Sequence, residues 1–401
     1  MDRYQRLKQK VQWEIRQANK KYMEEVSTDY KDNSKKFWSY IKSKGQEWIG
    51  VAPLKNKMGF LQSDNKSKVA ILTEQFQSVF TKENLNNFPN KGKSPYSTKI
   101  NSKGVHKLLK NMKPHKATVP DSIPSFILKA AADQLAPILT ELYQISLNTE
   151  VVPQDLKDAH VVPLFKTDER HLASNYRPVS LTSITCKVME HIVHSSVMCH
   201  FERNKILTNA QHGFRKKRSC ESQLIVTIHD IASKLERDLQ VDIILLDFAK
   251  AFDKVPHHRL LHKLEYYGVN PKTNRWIRSF LENRKQIVIL EGTVSKQVPV
   301  LSGGPQGTVL GPLLFLAYIN DMPETATSSE IKLFADGSLL YCTIDNQTDS
   351  HLLQSGLAIL EDWKNKWPMS FNAKKMHCHQ NSTKKQTGEA NMLQITWTYS
   401  G

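Results

Sequence analysis

Hydrophobic positions at the start of the chain follow a helical period. From residue 3 to 25, Tyr4, Leu7, Val11, Ile15, Ala18 and Tyr22 recur at spacings of three and four, and the opposite face carries Arg3, Arg6, Lys8, Lys10, Arg16 and Lys20. This is the pattern of an amphipathic helix whose basic side is either solvated or laid on a phosphate backbone. Val69, Leu72, Phe76 and Val79 repeat the period, and the polar "TKENLNNFPNKGKSPYSTK" behind them has the Pro, Gly and Asn content of a linker, so a boundary falls near residue 95. Asp121 and Ser122 ahead of Pro124 predict a capped start for an apolar helix through Phe126, Ile127, Leu135, Ile138, Leu139 and Leu142, kinked at Pro137.

Farther along, strand patterns appear among the helices. "AHVVPLF" at 159–165, "VDIILLDF" at 241–248, "QIVILEG" at 286–292 and both arms of "IKLFADGSLLYCTI" at 331–344 read as strands. Helices fill "LTSITCKVMEHIVHSSVMCHF", "HHRLLHKLEYYG" and "NRWIRSFLENR". Strands scattered without regular alternation predict an α+β fold rather than a doubly wound sheet. Asp336-Gly337 between two apolar arms predicts a hairpin with both residues at the central turn positions, where φ > 0 is wanted. No internal repeat is visible, and "QNSTKKQTGEANMLQITWTYSG" carries no core pattern.

Composition narrows the class. A chain of 401 residues has room for two or three domains. Its five cysteines are odd in number, widely spaced and without a Cys-x-x-Cys pair, which argues against a disulfide framework and a closed zinc site. "HCH" at 377–379 has no partner cluster and its adjacent positions cannot readily wrap one tetrahedral ion. No apolar run reaches the ~18 residues of a membrane span and no signal-peptide core is present, so an intracellular protein of nucleus or cytoplasm, not secreted, is expected. Lys plus Arg outnumber Asp plus Glu by 56 to 39, a formal net charge of +17, which favours a polyanionic partner, nucleic acid first.

Two carboxylates stand out. "VDIILLDFAKAFDKVPHHRLL" opens as a strand apolar on both faces and ends in Asp247, where burial makes a lone charge expensive. Asp247 would serve as a helix N-cap, or, beside Asp336 at the end of another strand, as half of an oxygen-ligand site for Mg²⁺. Paired ions of this kind run nucleotidyl transfer. Between them, "LSGGPQGTVLGPLLFLAYIND" places Gly303, Gly304 and Gly307 where backbone can approach a ligand, just before an apolar helix.

Taken together and in order, "NYRPVSLTS", "QHGFRKKRSC", "LLDFAKAFDKVPH", "SGGPQGTVLGPLLFLAYIND" and "KLFADGSLLY" resemble the reverse transcriptases of non-LTR retrotransposons, jockey-like or CR1-like. "KKFWSYIKSKG" looks like the segment preceding the polymerase, "KATVPDSIPSFILKAAADQLAPIL" like its beginning and "WKNKWPMSFNAKK" like the end of the palm. The resemblance implies a right-hand polymerase of fingers, palm and partial thumb: a helical basic extension and linker at 1–95, lead-in and fingers at 96–240, palm and start of thumb at 241–380, the reverse transcriptase domain at about 140–380, and a truncated or unstructured tail at 381–401. It implies an RNA template, a DNA primer, deoxynucleoside triphosphates, Mg²⁺ or Mn²⁺, and no membrane. Asp247 and Asp336 match the palm carboxylates, with the Phe248 carbonyl as a further metal oxygen. Phe252 matches the bulky residue under the sugar, though its type also suits an ordinary core ring. Gln306 and Gly307 look like the loop at the incoming nucleotide, and Arg177 like a finger residue on the triphosphate, with Arg215 and Lys166 as further candidates; a guanidinium fork suits phosphate.

The chain departs from that pattern where it matters. The family box reads Phe-Ala-Asp-Asp, and Gly337 stands in place of the second Asp, so a ligand position is lost and impaired activity is expected. Gly304 stands for a usual Val, Lys217 for a Gly, and Val119 and Ser122 for glycines of the opening motif, and the endonuclease and full thumb that the resemblance implies are expected to be missing. The alternative reading is a noncatalytic nucleic-acid-binding remnant of a mobile element. A splicing maturase would require a basic domain after the thumb.

Overall fold

The computed structural model describes residues 50–83, 100–114, 123–326, 329–345 and 347–381, with Val11, Trp13, Glu14, Gln17, Thr98 and Asp121 as isolated positions. Most of the amphipathic pattern at 3–25, most of the linker, Val119, Ser122 and the tail beyond 381 lie outside the described residues. In chain order the strands are β1 (Leu54–Lys55), β2 (Leu61–Gln62), β3 (Ala159–Phe165), β4 (Tyr176–Thr182), β5 (Gln240–Asp247), β6 (Lys285–Leu290), β7 (Thr293–Val294), β8 (Val298–Pro299), β9 (Glu330–Phe334), β10 (Gly337–Ile344) and β11 (His377–Asn381).

Two sheets organise the α+β fold. One is antiparallel with the order β11-β5-β10-β9; the other is mixed, β4-β3-β6-β7 with β8 on β6, and its β3–β6 pair is parallel. The apolar run of β5 is explained by burial from both sides. Ile244 and Leu246 face the main core with the helices Leu310–Ile319 and Gln347–Lys366, while Val241, Ile243 and Tyr341 meet Ile231 and Leu235 of the helix Cys220–Leu235, which the periodicity did not single out. The helix Leu310–Ile319 is apolar all round and nearly all of it is buried, as such a helix must be.

The mixed sheet has a core of its own. Val69, Leu72 and Phe76 of the helix Asn65–Ser78 pack with Val161, Tyr176, Val288 and Leu290. Residues 51–76 therefore share a core with β3, β4 and β6. Just beyond them, the Glu83 carboxylate accepts from the N–H groups of His258 and Arg259 at 3.0 and 2.9 Å, at the start of the helix His257–Tyr266. An anion is favoured there by the orphan donors and the helix dipole.

Two sequence expectations are corrected. The single helix kinked at Pro137 is two helices, Ser125–Ala130 and Ala132–Thr149, separated at Ala131, with Pro137 inside the second. Its buried face carries Leu128, Ala136, Leu139 and Tyr143, whereas Phe126, Ile127, Ile138 and Leu142 are exposed. Asp121 accepts from the Ile123 N–H, but the first helix begins at Ser125 without a side-chain cap. The hairpin turn is also shifted by one residue: Phe334 pairs with Gly337, so Ala335 and Asp336 are central, and Ala335 takes the left-handed φ of 54°. Gly337 is the first residue of β10, and its φ is not left-handed.

Candidate active site

The register of β5 against β10 sets Asp247 directly opposite Gly337, one residue from Asp336. The two carboxylates predicted from distant motifs thus meet at one end of the antiparallel sheet. The turn that carries Asp336 is held by "QHGF": Gln211 Oε1 accepts from Ala335 N–H at 2.9 Å, and Gln211 Nε2 donates to the Ala335 carbonyl at 3.3 Å. That brace answers why a non-glycine residue is tolerated at φ > 0 here, since the surrounding contacts over-determine it. Gly213 must be glycine, because a Cβ there would come within 2.3 Å of the Ala335 nitrogen.

Asp247 is half-buried and its Oδ2 receives the Lys375 ammonium at 2.7 Å. The hydrogen bond to Asp247 pushes the Lys375 ammonium above the ordinary lysine range. The backbone beside it is fixed as well: Asn372 N–H donates to the Asp247 carbonyl at 2.7 Å and Ala249 N–H to Ser370 at 2.8 Å. These flank Phe248 and Phe371 as a non-hydrogen-bonded pair, leaving the Phe248 carbonyl outside the ladder. Below, the Phe248 ring stacks on Phe371 with centroids 4.8 Å apart.

Phe252 lies between two other rings, 4.6 Å from Phe315 and edge-on to Phe214 at 6.1 Å. The glycine loop is threaded against the same short helix, Ala251–Lys254. Gly303 has φ 75°, and a Cβ there would meet the Phe252 carbonyl at 2.3 Å; Gly307 has φ 103°, and its Cβ would meet the Ser180 carbonyl at 2.8 Å. Gln306 donates from Nε2 to both carboxylate oxygens of buried Asp253, at 2.9 and 3.1 Å. Burial pushes the Asp253 carboxyl up, and the Gln306 amide and the Lys250 ammonium pull it back.

One open cavity of about 810 Å³ is lined by Asp247, Asp336, Phe252, Gln306 and Gly307 together with Lys166 and Arg177. Lys250 and Lys375 line it too. The cations crowd one another. Burial, then Lys375 and Arg177, hold Lys166 below the ordinary lysine range, and burial with Arg177 does the same to Lys250. A cluster that repels its own members is suited to a polyanion.

Arg215 is not brought there. Its guanidinium is forked on Glu202, with Nε to Oε1 at 3.1 Å and Nη2 to Oε2 at 3.0 Å, and Nη1 donates to the Thr208 carbonyl at 2.8 Å. Its side chain is 7% exposed, so it staples its loop to a helix and offers no fork to phosphate. Conversely, Lys250, Asp253, Phe214, Gln211 and Lys375 belong to the site and were not singled out. All stand inside or beside quoted motifs, but a lysine or aspartate in a motif carries no mark of its partner.

Among the described residues no group of three or more His, Cys, Asp or Glu side chains could hold a metal ion. Mg²⁺ needs fewer protein ligands, because it keeps waters and binds through one or two carboxylates plus substrate phosphate. Asp247, Asp336 and the Phe248 carbonyl are the oxygen groups at this end of the sheet that could serve, and the Lys375 ammonium already sits on Asp247. Among the described residues, no helix is long and apolar enough to cross a membrane.

Comparison with known proteins bears on the family. The family model described as reverse transcriptase (RNA-dependent DNA polymerase) matches residues 164–388. The chain is 28% identical over 285 residues to the RNA-directed DNA polymerase from mobile element jockey of Drosophila funebris, covering 68% of this chain and 30% of that protein. It is 23% identical over 390 residues to the probable RNA-directed DNA polymerase from transposon BS of Drosophila melanogaster, covering 90% and 42%. The corresponding protein from transposon X-element of the same fly is 28% identical over 277 residues, covering 65% and 29%. The chain thus spans less than half the length of these relatives. With more than half of it matched by the family model, and with non-LTR mobile-element polymerases as its relatives, the chain belongs to the reverse transcriptase (RNA-dependent DNA polymerase) family.

Proposed function

We propose that this chain derives from an enzyme that extends a primer 3′-hydroxyl on an RNA template with deoxynucleoside triphosphates, and that this copy is impaired. The observation that carries the reading is the pairing of Asp247 with Gly337, which sets Asp336 beside Asp247 in a cavity shared with Lys166, Arg177 and Gln306. In this reading β5, β9, β10 and β11 form the palm, and the mixed sheet with residues 51–83 forms the fingers layer. The region after the helix Gln347–Lys366 leads to the thumb. Asp247, Asp336 and the Phe248 carbonyl would hold Mg²⁺ or Mn²⁺. When bound, such ions stabilise charge at the transferring phosphoryl group and make the primer hydroxyl a better nucleophile.

The chain's own residues do the rest. Arg177 and Lys166 bind and orient the triphosphate, Arg177 by a bidentate fork. Phe252, fixed between Phe315 and Phe214, fills the space that a ribose 2′-hydroxyl would need. Gln306 and Gly307 border the incoming nucleotide. At position 337 glycine contributes no carboxylate, and a missing ligand should cost at least the ~10 to 100-fold typical of lost outer-shell partners. The test is primer extension on an RNA template: little or no incorporation by the natural chain, a rise of at least about tenfold with Gly337→Asp, and abolition with Asp247→Ala. A folded Gly337→Asp protein that binds template–primer and still incorporates nothing would sink the assignment.

A second reading, a noncatalytic nucleic-acid-binding remnant, is favoured by Lys375, whose ammonium sits on Asp247 where a metal ion would otherwise compete. Template–primer affinity would then fall with salt by roughly 0.9 log per neutralised duplex phosphate per log of salt, and would not respond to Gly337→Asp.

A further inference from the structure

Resting on the polymerase reading, we infer that Asp253 is the positioning residue of the nucleotide loop: it fixes the Gln306 amide so that the acceptor Oε1, not the amide nitrogen, is free for a nucleotide. Asp253 lies on the short helix that follows the β5 carboxylate, immediately after Phe252, and is 6% exposed. Both of its oxygens receive the same nitrogen, Gln306 Nε2, at 2.9 and 3.1 Å. With both of its oxygens accepting from that nitrogen, the carboxyl selects one of the two amide orientations. The nitrogen faces Asp253, and the oxygen is left for whatever occupies the cavity that Gln306 lines. A ligand meeting that oxygen must bring a donor, such as a sugar hydroxyl.

The loop backbone does not need this bond. Ser180 N–H donates to the Gln306 carbonyl at 2.7 Å, Gly303 N–H to Val255 at 2.7 Å, Gly304 N–H to Phe252 at 3.2 Å, and Ser302 Oγ to the Asp253 carbonyl at 2.6 Å. His257 Nε2 completes the clamp on the Gly303 carbonyl at 2.8 Å. All of these involve main chain that a change at the Asp253 side chain leaves in place. What that side chain uniquely decides is the direction of one amide. Asparagine at 253 would offer both a donor and an acceptor, and either amide orientation at 306 could then be satisfied.

The test measures equilibrium binding of dTTP to the natural chain with an RNA template and DNA primer, for Asp253→Asn, Gln306→Met and the double variant. Asp253→Asn should weaken dTTP about fivefold to tenfold, as for loss of one hydrogen bond to a charged or oriented group. In the Gln306→Met background the same change should matter less than about twofold, because the amide it acts through is gone. Equal losses in both backgrounds, or no loss in the first, overturn the inference. Failure of the natural chain to bind dTTP at all would instead count against the polymerase reading. Amide proton exchange then decides the positioning claim without any variant: the Gln306 side-chain protons should exchange far more slowly than those of an exposed glutamine, and exchange at the exposed rate overturns it.

Discussion

Gln211 grips Ala335 at both ends of one residue, accepting from its N–H at 2.9 Å and donating to its carbonyl at 3.3 Å. A motif more than a hundred residues upstream thereby fixes the turn that carries Asp336. Ala335 is buried, so removing the acceptor leaves its N–H unsatisfied. Gln211→Leu should lower the free energy of unfolding by about 1–3 kcal/mol in urea titrations. In the Gly337→Asp background it should also lower incorporation, through a loosened Asp336.

The glycines separate into two kinds. A Cβ at 337 would meet only the Phe334 carbonyl, at an ordinary 3.5 Å, and Gly337 lies outside the left-handed region. Gly337→Ala should therefore leave stability unchanged or raise it by about 0.4–1 kcal/mol, by restricting the unfolded chain. Gly303→Ala, with φ 75° and a contact at 2.3 Å, should destabilise by more than that gain. Thermal melts of the two variants give the comparison. The space at 337 is also what makes Gly337→Asp a usable test of function.

Lys375 competes for Asp247. Its side chain is 47% exposed, so the pair is worth only about 0.2–1 kcal/mol. Lys375→Met should accordingly tighten Mn²⁺ binding by no more than about fivefold, measured by water-proton relaxation. Unchanged or weaker binding would show that the ammonium does not block the site.

His257 sets a pH dependence. Burial holds its imidazole down at about 4, against the partial help of its bond to the Gly303 carbonyl. The unfolded chain, at the ordinary value near 6.5, binds the proton first. Stability from neutral His257 is therefore full above pH 6.5 and is lost as pH falls towards 4. Between pH 7 and 5 the loss should be about 2 kcal/mol. His257→Asn should remove that part of the slope in denaturant titrations at the two pH values.

Much of the fold was legible locally, because burial period is written into neighbouring residues. The double-sided apolar run of β5, the alternation in the hairpin arms and the spacing of Val69, Leu72 and Phe76 each specify which face must leave water. Strand ends, glycines and motif order likewise pointed to Asp247, Asp336 and the loop at Gln306. What sequence could not decide is which distant group each polar side chain meets. Arg215 and Arg177 are the same residue type in two quoted motifs, yet one is consumed by Glu202 and the other lines the cavity. The turn centres on Ala335-Asp336 rather than on the locally preferred Asp336-Gly337, and there the distant Gln211 amide holds Ala335 at both ends. Hydrophobic period acts over a few residues, whereas a charge or an amide can be satisfied by any partner that the finished fold brings within about 3 Å. The sequence therefore determined the elements and the acids at their ends, and the tertiary structure alone decided the partners.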